Sequence, residues 1–99
     1  MKHALLSTLF VIAITMPAQS GVIERACLTA DRSAASPRLC GCIQSVADQT
    51  LRNGEQRKAA RFFSDPHEAQ EVRQSSRQSD RRFWDRYRAF GAAAETYCG

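Results

Sequence analysis

The chain has 99 residues, of which 14 are lysine or arginine and 10 are aspartate or glutamate, and its net charge is +4. This length allows one domain with a small core. The sequence contains no glycine-rich phosphate loop, no His-Glu-x-x-His zinc motif and no nucleophile elbow. We therefore expect a protein that is not an enzyme and that uses no cofactor and no metal.

Residues 1–20 have the pattern of an export signal. An apolar run over residues 4–16 follows a short polar start, and the small residues Ala18 and Ser20 occupy the positions that a signal peptidase reads. The run is shorter than the roughly 20 residues that a helix needs to cross a bilayer. We predict a signal peptide over 1–20, cleavage just after it, and a soluble four-cysteine helical domain over 21–99 in the periplasm.

The first part of this domain predicts two helices joined by a polar loop. Apolar residues at helical spacing predict a short helix over 22–30, and an apolar stripe from Leu39 to Leu51 predicts a longer amphipathic helix. Asn53 and Gly54 tolerate the left-handed backbone that is common at helix C-termini. We therefore predict that the second helix ends at this pair.

The middle of the domain predicts two more helices. Residues 55–63 have helical composition, with alanine and phenylalanine on the apolar side. Asp65 as N-cap, Pro66 at the first helical position and Glu68 at the capping-box position together predict a new helix start. The body of that helix, to about Arg73, is mostly polar and should lie on the surface.

The last predicted helix begins at an Asp80 N-cap and runs to about Tyr97. Its apolar residues recur every three or four positions and should face the core: Phe83, Tyr87, Phe90, Ala94 and Tyr97. Arg81, Asp85 and Arg88 have the spacing of intrahelical ion pairs on the outer side. Because no segment alternates as a strand does, we predict an all-α fold, a small bundle of three to five short helices.

Four cysteines lie in the predicted domain: Cys27, Cys40, Cys42 and Cys98. A core this small rarely supplies more than about 3–5 kcal/mol, so two disulfides are the expected supplement in an oxidising compartment. Cys40 and Cys42 point about 200° apart on a helix and are poorly placed to bond each other. The favoured pairing is Cys27–Cys40 with Cys42–Cys98, and the pairing of Cys27 with Cys42 and Cys40 with Cys98 remains open.

A reactive dithiol or a metal site at Cys40 and Cys42 is the functional alternative, because a helix N-terminus lowers the pKa of a thiol. Redox pairs more usually have two residues between the cysteines, and zinc sites more usually have two cysteine knuckles. His67 stands beside Asp65 and Glu68 at a helix start, and we expect it on the surface, neither a ligand nor a base.

Arginine dominates the basic residues, since lysine occurs at only two positions, Lys2 and Lys58. The planar guanidinium of arginine suits the recognition of carboxylate or phosphate groups. A GC-rich genome that favours arginine codons would produce the same composition. Nucleic acid is not an expected partner in either case, because an exported protein has little access to it.

Several segments of the chain carry a family resemblance: Cys27, the run from Cys40 to Asp48, the run from Phe62 to His67, Phe83-Trp84 and Tyr97-Cys98-Gly99. On these segments the chain resembles small exported four-cysteine proteins of alphaproteobacteria of the Rhodobacter type, some of which carry the label "arginine transporter". The resemblance implies an exported domain but assigns no functional residue. A soluble domain of this size has no membrane span to form a transport path, so the label implies at most an accessory role.

Three functions are compatible with these observations. The first is a non-catalytic binding or envelope-accessory protein, whose partner is an envelope protein or a small ligand and which makes no stable membrane insertion after cleavage. The second is a thiol-redox or metal-handling protein that uses Cys40 and Cys42. The third, an accessory role in arginine transport, follows from the family label.

Overall fold

The structure is a computed structural model, and it describes residue 11 and residues 21–30 and 35–99. Apart from Val11, the predicted signal peptide lies outside the described residues. The described part is all-helical, as predicted, and contains no strand: α1 (Val22–Thr29), α2 (Pro37–Thr50), α3 (Asn53–Ser64), α4 (Pro66–Gln74) and α5 (Gln78–Cys98). Within this part, no helix combines the length and the apolar character needed to cross a membrane.

The start of α1 depends on a side chain from α2. Its N-cap is Gly21, which has no side chain to accept a hydrogen bond, and the backbone N–H of Glu24 instead donates to Oε1 of Gln44 at 2.9 Å. A Cβ atom at position 21 would lie 2.3 Å from that amide group. Glycine at this position leaves room for the Gln44 amide, and any side chain here would displace the acceptor for the first turn of α1.

The boundary between α2 and α3 differs from the prediction. Helix α2 ends at Thr50, and Asn53 and Gly54 are the first two residues of α3, neither with a positive φ. Two tertiary effects explain the difference. Leu51 is extended and only 6% exposed, so its burial in the core draws the chain out of α2. The carboxylate of Glu55 then accepts the N–H of Arg52 at 3.0 Å, which favours a helix start at this point.

The predicted start of α4 is confirmed, since Asp65 accepts the backbone N–H of Glu68 at 3.3 Å. The predicted start of α5 is wrong. The helix begins at Gln78, and Asp80 lies within its first turn with its carboxylate 2.8 Å from Nζ of Lys58 on α3. Asp80, which was predicted as the N-cap, is thus held by Lys58 on another helix. No pattern local to α5 indicates this partner.

The core forms where the apolar faces of the helices meet: Ile23, Val46, Ala47, Leu51, Ala59, Phe62, Val72, Phe83 and Phe90 are all buried. Phe62 of α3 makes edge contacts with Phe83 and Tyr87 of α5, at ring-centroid distances of 5.9 and 5.2 Å. The predicted core face of α5 is therefore confirmed at its centre, but Tyr97 at its end is 77% exposed.

The predicted ion pairs on the outer side of α5 do not form. Arg81, Asp85 and Arg88 are exposed, and none of the ion pairs within residues 21–30 and 35–99 joins them. Exposed pairs on a helix gain little in water, so the side chains are not held together. These arginines are consequently available to other partners.

Candidate functional site

The four cysteines form two disulfides, Cys27–Cys40 between α1 and α2 and Cys42–Cys98 between α2 and α5, with Cα–Cα distances of 5.5 and 5.8 Å. The favoured pairing is confirmed. Cys40 and Cys42 leave opposite flanks of α2, as their helical spacing predicts. The two bonds therefore fasten α1 and the end of α5 to the same helix.

The surroundings of the two disulfides differ. Cys27 is 5% exposed and Cys40 is fully buried, whereas Cys42 and Cys98 are half-buried. A cleft of about 360 Å³ opens over the second bond and is lined by Ser36, Arg38, Leu39, Cys42, Tyr97 and Cys98. The second disulfide thus borders a space that another molecule could enter, whereas both cysteines of the first are buried.

A dithiol or metal site at Cys40 and Cys42 has no thiol to work with in this state, because both sulfurs belong to disulfides. Cys40 is also sealed from solvent. In the part of the chain that the structure describes, no group of three or more histidine, cysteine, aspartate or glutamate side chains could hold a metal ion. The redox interpretation therefore shifts from the Cys40–Cys42 pair to the exposed bond.

A buried polar network lies near α1. The Gln44 amide donates to Asp48 at 2.8 Å and to Gln56 at 2.9 Å, and Gln56 donates to Asp48 at 3.1 Å. Every buried side-chain nitrogen and oxygen of the described residues has a partner, so the network is structural. Sequence reasoning missed it because glutamines on two separate helices have no shared pattern.

A charged groove of about 410 Å³ lies where α3, α4 and α5 meet. Two of its carboxylates have cationic partners: Asp80 binds Lys58 at 2.8 Å, and Glu68 binds Arg61 at 3.1 Å. The hydrogen bonds from Lys58 and from Ser75 lower the pKa of the Asp80 carboxyl. The third, Glu71, lies beside His67. An arginine ligand would have to displace Lys58 or Arg61 to reach Asp80 or Glu68.

His67 lies at the edge of this groove. Its side chain is 81% exposed, and its Nε2 lies 3.1 Å from the Glu71 carboxylate, one turn further along α4. This placement agrees with the prediction of a surface histidine.

A second charged pair joins α3 to α5. Glu55 accepts a hydrogen bond from the Arg86 guanidinium across the two helices. Burial acts to raise the pKa of the Glu55 carboxyl, but the hydrogen bonds from the Arg52 backbone and from Arg86 outweigh it and lower that pKa. The carboxylate is thereby kept ionised and holds α5 against α3.

A third cleft, the arginine–tryptophan cleft, lies between the end of α4 and the first half of α5. It has a volume of about 500 Å³ and is lined by Arg73, Gln74, Ser75, Arg81, Trp84 and Asp85. Arg73 and Arg81 are exposed, and no ion pair of the described residues includes either of them. The two arginines thus line the same cleft as Trp84 and the exposed Asp85, and neither forms an ion pair with a described residue.

One wall of the cleft follows from local geometry on α5. Arg81, Trp84 and Arg88 are spaced by three and four residues and share one face of this helix, and Arg77 precedes it as the N-cap. Trp84 is half-buried, and its ring lies 5.1 Å from that of Tyr87. The cleft appears only when α4 brings Arg73 beside α5.

Comparison with known proteins leaves the function to be inferred from these sites. The chain matches no family model, no curated protein and no solved structure. Nothing in the comparisons bears on the resemblance to exported four-cysteine proteins.

Proposed function

We propose that the chain is a non-catalytic binding protein of the periplasmic envelope and that the arginine–tryptophan cleft holds an acidic segment of a partner protein. One observation carries the proposal: Arg73 and Arg81 line the same cleft as Trp84, and neither forms an ion pair with a described residue. The planar guanidinium of arginine can form two parallel hydrogen bonds to a carboxylate. Tryptophan and arginine are also the residue types that most often dominate binding energy at protein interfaces.

The pairing of three other cations supports the choice of this cleft over the charged groove. Lys58, Arg61 and Arg86 each bind a carboxylate of the chain, and an external acidic group would have to break those pairs. At Arg73 and Arg81 it breaks no ion pair, and the one carboxylate of the cleft lining, Asp85, is exposed. Charge complementarity therefore favours this cleft over the charged groove.

The shape of the cleft favours a protein segment over a lipid surface. Trp84 is half-buried and packed against Tyr87, so less of its ring is free to insert into a bilayer than that of a fully exposed tryptophan. The cleft also contains the cations Arg73 and Arg81, which suits a protruding acidic side chain. Two disulfides, together with the absence of a membrane-spanning helix among the described residues, are compatible with the proposed periplasmic location.

Fluorescence titration tests this proposal, because Trp84 is the only tryptophan of the chain. We expect a glutamate-rich peptide to change Trp84 emission in a saturable way, with an affinity that falls as salt rises. The double variant Arg73→Glu with Arg81→Glu should abolish the change. The matched control, Arg57→Glu with Arg82→Glu, alters the net charge equally at exposed positions outside the cleft and should bind like the unmodified protein.

Other outcomes would overturn the proposal. Equal losses in the two double variants would mean that only net charge matters. Saturable binding of phosphatidylglycerol vesicles or inorganic phosphate, without binding of the peptide, would assign the cleft to a lipid surface or a small anion instead.

An accessory role in arginine transport remains a proposal that rests on the family resemblance. This role requires the chain to bind either arginine itself or another protein that binds arginine. Calorimetric titration with arginine tests the first case, and we expect no heat of binding because the groove carboxylates Glu68 and Asp80 are already paired.

A further inference from the structure

We propose that the Cys42–Cys98 disulfide is a thiol–disulfide exchange site for an envelope oxidoreductase that carries a dithiol, while Cys27–Cys40 is closed to exchange. The proposal is independent of the acidic partner, because it rests on the other end of α5. Both cysteines of Cys42–Cys98 line an open cleft, whereas both cysteines of Cys27–Cys40 are buried. Exchange requires an attacking thiolate to reach a disulfide sulfur, and the cleft provides that access.

The position of Arg38 indicates which of the two sulfurs is attacked. This arginine is exposed, lines the same cleft, and lies one turn before Cys42 on α2, at the spacing where helical side chains are neighbours. A nearby cation stabilises a thiolate and makes it a better leaving group. We therefore place the attack on Sγ of Cys98, with Cys42 as the leaving thiolate.

The chemistry balances with a dithiol partner. A thiolate of the partner bonds to Sγ of Cys98, the bond between Cys42 and Cys98 breaks, and its electron pair leaves with Cys42. The second thiolate of the partner then attacks the partner's own sulfur in the mixed disulfide and releases Cys98 as a thiolate. Two electrons have passed from the partner, which is left as a disulfide, and both cysteines take up protons.

Opening this bond requires little of the fold to move. Cys98 is the last residue of α5, and its neighbour Tyr97 is 77% exposed. The nearest buried residue of α5 is Phe90, two turns earlier, and the end of the helix contacts the core only through the partly buried Ala93, Ala94 and Cys98. Exchange at Cys42–Cys98 can therefore proceed from the native state, whereas exchange at Cys27–Cys40 requires unfolding of the core.

Graded reduction of the mature protein tests the proposal. The protein is incubated with reduced glutathione, quenched with an alkylating reagent and mapped by mass spectrometry. We expect Cys42 and Cys98 to be alkylated at least tenfold faster than the Cys27–Cys40 pair, with helix content retained. Urea below the unfolding transition should accelerate only the Cys27–Cys40 reaction, because only that reaction passes through unfolding.

Two variants sharpen the test. Arg38→Ala should slow exchange at Cys42–Cys98 by roughly two- to tenfold without changing the thermal midpoint, since it removes one exposed cation beside the leaving sulfur. Arg57→Ala removes an equally exposed arginine elsewhere and should leave the rate unchanged. Simultaneous alkylation of all four cysteines, faster alkylation of Cys27 and Cys40, or equal effects of the two arginine variants would overturn the proposal.

Discussion

The two disulfides connect to cysteines only two residues apart on α2, yet they lie in opposite environments. The buried flank of α2, with Cys27–Cys40 and the Gln44 network, is called the closed end. The opposite flank, with Cys42–Cys98, Arg38 and Tyr97, borders a cleft and is called the open end. The difference shows that the rotation of a helix, rather than distance along the chain, decides whether a disulfide is sealed or accessible.

The two ends also constrain the chain differently. The Cys27–Cys40 bond closes a short loop, with a sequence separation of 13, and Cys42–Cys98 closes a long one, with a separation of 56. A long loop restricts the unfolded chain more. The open end thus supplies much of its stabilisation through the unfolded state, while the closed end adds packing in the native state.

The largest expected effect contrasts a core residue with a residue of the open end on the same helix. Phe90→Ala should lower the free energy of unfolding by about 3–5 kcal/mol, because the ring is buried and its removal leaves a cavity. Tyr97→Ala should change it by less than about 0.5 kcal/mol, because that side chain is mostly exposed. Urea titrations measure both values. Similar values for the two variants would show that the open end is packed as tightly as the core.

Removing each disulfide in turn tests whether the two bonds stabilise the fold in different ways, one through the unfolded chain and the other also through native packing. From loop entropy, Cys42→Ala with Cys98→Ala should cost about 4 kcal/mol, and Cys27→Ala with Cys40→Ala about 3 kcal/mol plus lost packing. Denaturant titration gives the free energies, and near-ultraviolet circular dichroism reports packing. We expect only the variant without Cys27–Cys40 to lose native packing signals. Loss of these signals in the variant without Cys42–Cys98 as well would mean that the open end also organises the core.

A smaller effect tests the closed end alone. Gly21→Ala should destabilise the protein by about 1–3 kcal/mol, because the added Cβ would displace the Gln44 amide that caps α1. The matched control is Gly91→Ala, where a Cβ meets nothing within 4 Å. That exposed helical glycine should instead gain about 0.5–1 kcal/mol on substitution. Thermal unfolding of the two variants should therefore shift in opposite directions.

The smallest effect is the pH dependence of the links between α3 and α5, which belong to neither end. Folding lowers the pKa values of Glu55 and Asp80, so their contribution is present above the unfolded values, near 4.5 and 3.8, and is lost as pH falls through the folded ones. Glu55→Gln and Asp80→Asn should each flatten the decline in stability on acidification. Unfolding measured from pH 7 downwards tests this, and the flattening should be the same when either disulfide is removed.

Local pattern was enough to predict much of the fold. The apolar stripe predicted the body of α2, and Asp65 with Pro66 predicted the start of α4, because capping and helical periodicity act within a few residues. The opposite directions of Cys40 and Cys42 likewise follow from the rise and turn of a single helix. The sequence also placed Phe83 and Phe90 on the core face of α5, where both are buried.

What escaped prediction depends on neighbours that are distant in sequence. Asp80 is held by Lys58 rather than capping α5, and Gln44 caps α1 from another helix. The cleft around Trp84 forms only because α4 brings Arg73 beside α5. Sequence alone therefore determined the helices and the directions of their side chains, through interactions within a few residues. Tertiary structure decided the disulfide partners, the sealed and open ends and the candidate site, because each depends on contacts between separate helices.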